Sequence, residues 1–119
     1  MKRILIVEDN EKNLKLFRSL LYSQGYETIE ARDGNEGVRL AKEQKPDLVL
    51  MDIQMPVMDG VTATRILKEN PETKNIPIIA LTSYAMKGDR ERFLSEGFVE
   101  YTAKPIKIDE FLEVVRRYL

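Results

Sequence analysis

A chain of 119 residues with 43% apolar content is the size of one domain and can cover a sheet on both faces, with no room for a second domain. A net charge of -1 gives no global attraction to nucleic acid or anionic membrane, no apolar run nears the roughly 18 residues of a membrane span, and Met1-Lys2-Arg3 leads straight into a short strand rather than a leader, so a soluble cytoplasmic protein is expected. The absence of cysteine excludes disulfides, thiolate nucleophiles and zinc-thiolate sites, and the absence of histidine excludes an imidazole base, a phosphohistidine and hence histidine kinase activity on this chain.

The first predicted strand is Arg3 to Glu8, with Ile4 to Val7 apolar on both faces as a central parallel strand requires. Glu8-Asp9-Asn10 leads into a helix from about Glu11 to Gln24, whose Leu14, Phe17, Leu20 and Leu21 recur at spacings of three and four. Asn10 is open to two readings, a helix N-cap or part of a site, but capping explains only one acid of the pair Glu8 and Asp9. Adjacent acids beside a third repel one another unless a cation lies among them, which favours metal binding.

Gly25 closes the first helix, and Tyr26 to Ala31 alternates loosely as a near-edge strand. Asp33-Gly34 turns into a second helix, about Asn35 to Gln44, where Gly37 costs about 1 kcal/mol relative to alanine and predicts close packing. Pro46-Asp47 then opens the most apolar run, Leu48 to Met51, which ends on Asp52. A carboxylate at the end of a buried strand is costly unless something uses it.

Pro56 and Asp59-Gly60 mark the next loop, and a third helix spans about Val61 to Asn70 before Pro71. The fourth strand, Ile78 to Leu81, starts beside Pro77 and runs into Thr82. A fourth helix of about Lys87 to Glu96, closed by Gly97, has little apolar surface and a glycine in its first turn. It reads either as a movable element or as a solvated surface helix. The last strand, Phe98 to Ala103, runs into Lys104-Pro105, and a better anchored helix of about Asp109 to Tyr118 follows.

Five strands alternating with five helices, without repeat, linker or low-complexity tract, make a doubly wound α/β domain. The strand ends then share one edge, where open α/β sheets bind their ligands. That edge gathers Glu8, Asp9, Asp52, Thr82 and Lys104, a set suited to a hard cation and a phosphoryl group.

With Val7-Glu8-Asp9-Asn10, Met51-Asp52-Ile53-Gln54-Met55-Pro56, Asp59-Gly60, Leu81-Thr82-Ser83 and Tyr101-Thr102-Ala103-Lys104-Pro105 in this order, the chain from Lys2 to Leu119 resembles a receiver domain of a two-component response regulator. The resemblance implies one receiver domain over residues 1–119, a flavodoxin-like parallel sheet in the order 2-1-3-4-5, and Asp52 as phosphoacceptor. Asp9, Asp52 and the backbone carbonyl of Gln54, with Glu8 acting directly or through water, are implied ligands of Mg²⁺ or Mn²⁺, and Lys104 is the implied ammonium on the phosphoryl oxygens, with a bond to Pro105 that receivers hold cis. Thr82 and Tyr101 match the switch pair, and Gln54 and Tyr84 flank the attack path. Thr102, polar in the last strand, and Gly37 depart from the usual pattern at positions away from the site.

The function implied is a phosphorylation-dependent signalling switch rather than a conventional enzyme. A histidine kinase or histidine phosphotransfer protein supplies the phosphoryl group, and the surface of the fourth helix, fifth strand and fifth helix binds a downstream protein. A monomer is expected, with phosphorylation-dependent dimerisation as the alternative. No output domain follows the last helix, so the output is expected to be protein contact, unless the chain is a fragment of a longer regulator or hybrid kinase. A small aspartyl-phosphate phosphatase is the competing enzyme reading, but such enzymes place an aspartate where Gln54 stands. Nucleotide binding lacks both glycine-rich phosphate loops.

Overall fold

The computed structural model describes residues 1–83 and 86–119. Along these the chain alternates β1 (Arg3–Val7), α1 (Glu11–Ser23), β2 (Glu27–Ala31), α2 (Gly34–Gln44), β3 (Leu48–Asp52), α3 (Gly60–Glu69), β4 (Ile78–Thr82), α4 (Asp89–Ser95), β5 (Glu100–Ala103) and α5 (Ile108–Arg117). The strands form one parallel sheet in the order β2-β1-β3-β4-β5. The runs predicted to be most apolar, β1, β3 and β4, occupy its centre because burial on both faces leaves no solvent side for polar residues.

Side-chain alternation sorts each strand between two helical layers. Leu5, Val7, Val49, Met51, Ile78 and Ala80 pack with α2, α3 and α4, whereas Ile4, Ile6, Leu48, Leu50, Ile79 and Leu81 pack with α1 and α5. On the second face Phe17 of α1 stacks on Phe111 of α5 at 5.4 Å between ring centroids. On the first, Phe93 of α4 meets Phe98 at 5.7 Å and Tyr101 at 5.5 Å.

Local rules set the helix starts. Asn10, Asp33 and Asp59 cap α1, α2 and α3, accepting from the backbone N–H of Asn13, Glu36 and Thr62 at 3.1, 2.8 and 2.8 Å. The capping reading of Asn10 therefore holds. Gly37 packs as expected: a Cβ there would lie 2.8 Å from Val7 Cγ2, so the missing side chain lets α2 approach β1.

The differences from expectation lie at element ends. α4 begins at Asp89 rather than Lys87, because Gly88 takes φ 88° and acts as the cap instead of as a first-turn residue. β5 begins at Glu100 rather than Phe98, because the Phe98 N–H turns back to the Phe93 carbonyl to close α4. β1 ends at Val7, one residue before Glu8.

Candidate functional site

The same alternation that sorts the core sorts the site. Counting on from Ile6, Leu50 and Thr102, the side chains of Glu8, Asp52 and Lys104 fall on the α1–α5 face, while Thr82 and Tyr101 fall on the α4 face with Ala80. Glu8 is fully buried and Asp52 only 3% exposed. Lys104 reaches both, with its Nζ 2.7 Å from Glu8 Oε1 and 3.3 Å from Asp52 Oδ2. The Lys104–Pro105 bond is cis, as the resemblance implied.

Each carboxylate has further donors. Glu8 Oε1 accepts from Asn13 Nδ2 at 3.2 Å and Oε2 from the Asn10 N–H at 3.4 Å. Asp52 Oδ1 accepts from the Gln54 N–H at 3.1 Å, while the Gln54 side chain is exposed. Asp9 is exposed, yet ligand oxygens of Glu8, Asp9 and Asp52 lie within 4.8 Å of one another. Three carboxylates against one ammonium leave surplus negative charge, and the donors are hard oxygens, so this constellation fits a divalent cation of the Mg²⁺ kind.

Electrostatics divides the buried pair. Burial, and then the neighbouring Glu8 carboxylate, push the Asp52 carboxyl up to about 7. Burial also acts to raise Glu8, but hydrogen bonds from Asp52 and Lys104 outweigh it and hold its carboxyl below the ordinary value. Without a metal, therefore, Glu8 stays ionised while Asp52 releases its proton close to neutral pH, so the pair's charge rises above the single one that Lys104 matches as pH passes about 7.

The family described as response regulator receiver domain matches residues 4–116. This chain belongs to that family. It is 50% identical over 118 residues to the polar-differentiation response regulator DivK of Brucella anthropi, covering 99% of this chain and 96% of that one. The receiver domain of the sensor histidine kinase PA1611 from Pseudomonas aeruginosa, solved with a magnesium ion coordinated in the active site cleft, superposes with a TM-score of 0.89 at 41% identity, over 98% of this chain and 96% of that one. The chemotaxis protein CheY4 of Vibrio cholerae superposes with a TM-score of 0.92 at 26% identity, over 100% and 99%. The flavodoxin-like sheet order expected from the sequence is the one observed.

In this receiver, Glu8, Asp9, Asp52, Thr82 and Lys104 meet at one edge of the sheet, and Thr82 is buried there. Tyr101, half-buried, packs on Phe93 and stands opposite Ala80, two residues before Thr82. Tyr84 lies outside the described residues. Sequence reasoning missed two contributors. Asn13 looks like any polar helix residue until α1 is laid over β1. Gly60 looks like half of a turn signal, but a Cβ there would lie 2.1 Å from the Asp52 carbonyl oxygen. A glycine eight residues after a buried strand-end acid hints at such an approach only when the loop is known to return.

No helix among the described residues is long and apolar enough to cross a membrane. As a receiver domain the protein is a signalling module of two-component systems.

Proposed function

We propose that residues 1–119 act as one receiver domain that accepts a phosphoryl group on Asp52 and signals through protein contact. The observation that carries this is Asp52 itself, a buried carboxylate at the end of a fully buried central strand, flanked by Glu8 and Lys104. A structural ion pair needs one acid and one base. Here two buried acids face a single lysine, with a third acid at the rim.

The donor is a phosphohistidine of a histidine kinase or phosphotransfer protein. Its N–P bond breaks as an Asp52 oxygen bonds to phosphorus, and the imidazole leaves and takes a proton from solvent. Glu8, Asp9, Asp52 and the Gln54 carbonyl would hold Mg²⁺, with Mn²⁺ sharing the same donor preference. The cation, when bound, offsets negative charge on the carboxylates and on the transferring phosphoryl oxygens. Lys104 donates to those oxygens from the opposite side, leaving its contact with Asp52.

Thr82 then donates its hydroxyl to the phosphoryl group, and Tyr101 follows into the space behind it. The pair lies on the face of α4, so the altered surface is that of α4, β5 and α5, where a downstream protein binds. There Arg90 and Arg117 pair with the buried Glu100 and border a groove of about 440 Å³. The protein works as a monomer in the cytoplasm. It assists its own phosphorylation and dephosphorylation but turns over no separate substrate, and Gln54 in place of a second aspartate argues against a phosphatase.

Intact-mass measurement after incubation with acetyl phosphate and Mg²⁺ tests this reading. The expected result is one added phosphoryl group in the wild type and none in Asp52→Asn, with unchanged circular dichroism. Undiminished labelling of Asp52→Asn would reject the assignment.

A further inference from the structure

Glu8 is fully buried and its two oxygens are served unequally. Oε1 takes both the Lys104 ammonium at 2.7 Å and the Asn13 amide at 3.2 Å, whereas Oε2 accepts from the Asn10 N–H at a long 3.4 Å. Asn13 is held at both ends, because its own N–H is capped by Asn10 at 3.1 Å while its side chain reaches across to Glu8. Asparagine is a poor helix former and alanine would favour α1, so helix formation does not explain the residue.

The two donors on Oε1 differ in kind. Lys104 is a charged, flexible arm shared with Asp52, and a phosphoryl group arriving on Asp52 draws it away. Glu8 Oε1 would then be buried, negative and short of a donor, which is costly. Asn13 remains in place through that exchange. Being neutral, it fixes the carboxylate without offsetting the charge that a cation needs.

We propose that Asn13 is a positioning residue for Glu8: its amide anchors Oε1, keeps Oε2 available to a divalent cation, and holds the carboxylate plane when Lys104 leaves. The assignment rests on the metal reading given under Proposed function, and deepens it by naming the group on α1 that supports a ligand from behind. Partners of this kind, which hold a ligand without touching the metal, typically contribute 10–100-fold in affinity.

The test is calorimetric titration of Mg²⁺ into wild type, Asn13→Ala and Asn13→Lys in the absence of any phosphodonor, followed by acetyl phosphate labelling across Mg²⁺ concentrations. Asn13→Ala should raise the half-saturating Mg²⁺ about tenfold, while the labelling rate at saturating Mg²⁺ stays within about twofold of wild type. Asn13→Lys should weaken Mg²⁺ binding further still and yet raise the melting temperature of the metal-free protein, because a second ammonium satisfies Glu8 but competes with the cation. A purely structural role would move affinity and stability together rather than in opposite directions. Half-saturation in Asn13→Ala within about twofold of wild type, or tight Mg²⁺ binding by Asn13→Lys, overturns the assignment while leaving the phosphoacceptor reading intact. If the wild type takes up no Mg²⁺, the metal reading fails first and this inference falls with it.

Discussion

The helices that cover the sheet are anchored unequally. On one side α1, with 13 residues, and α5, with 10, are joined by the stacked Phe17 and Phe111, and this is the side on which Glu8, Asp52 and Lys104 meet. On the other, beside the longer α2 and α3, α4 has 7 residues and one fully buried ring, Phe93, while Leu94 is 44% exposed. Thr82 and Tyr101 face this second side. The charged cluster thus lies on the side of α1 and α5, while Thr82 and Tyr101 abut α4, the helix with the least apolar anchorage. Elements that move in switches are drawn from such low-stability regions.

Truncating one aromatic anchor on each face is the strongest way to break this contrast. Phe17→Ala and Phe93→Ala should each cost about 3–5 kcal/mol of local packing. Phe17→Ala should lower the global stability by that amount in denaturant melts. Phe93→Ala should show less of it globally and more as fast amide exchange confined to residues 86–101. Uniform loss of protection across the sheet in Phe93→Ala would mean that α4 is no softer than α1.

Removing the ammonium comes next. Lys104→Met leaves two buried carboxylates facing each other, and breaking a buried pair costs roughly 3 kcal/mol. The loss should be largest in metal-free protein above neutral pH and should shrink in acid, where the pair shares a proton. Chemical denaturation at two pH values reads it. A pH-independent loss would place the cost in packing of the lysine stem instead.

A smaller effect is built into the wild type. The folded, metal-free protein keeps a proton on Asp52, pushed up to about 7, that the unfolded chain has already released near its ordinary value. That contribution is complete below the ordinary aspartate pKa and lost as pH rises through about 7, so the melting temperature should fall between about pH 5 and pH 8. Glu8, held low, acts in the other direction, and its contribution is lost only as pH drops below the ordinary glutamate range. Saturating Mg²⁺ or Asp52→Asn should flatten the slope above pH 5, and a slope unchanged by both would remove Asp52 as its source.

The smallest expected effect is on the response alone. Thr82→Ala should still label with acetyl phosphate but lose most of the exchange change that beryllofluoride induces in residues 86–104, since a hydrogen bond to a charged group is worth about 1.5–3 kcal/mol. If beryllofluoride instead altered mainly α2 in the wild type, α4 would not be the responding helix.

Much of this was legible in the sequence because strand ends in a parallel sheet fall on one edge whatever the helices do. The runs Ile4 to Val7, Leu48 to Met51 and Ile78 to Leu81 announced buried strands by composition, and the acids, hydroxyl and lysine after them could be collected without coordinates. What could not be read depends on how layers are laid over one another. Asn13 meets Glu8 because α1 crosses β1 at that point, and Glu100 is buried between Arg90 and Arg117 because two helices flank β5. Ends of elements were misread where backbone hydrogen bonds, not side chains, decide them, as at Gly88 and Phe98.

The contact between Gly60 and Asp52 has a mechanical consequence. The Gly60 N–H bonds to the Ile53 carbonyl at 3.1 Å, and the space where its Cβ would be is filled by the Asp52 carbonyl, so the segment 53–59 leaves β3 and returns to its starting point. It is a closed ring rather than a strap. A load applied at Asp52 cannot be relieved by spreading the ends of this ring, because they are already in contact, and α3 is tethered to the strand as a fixed support. On the neighbouring strand's side, α4 is preceded by Gly88, a cap that has no side chain to tie the helix start. The loop after Asp52 thus serves as a frame for the carboxylate cluster.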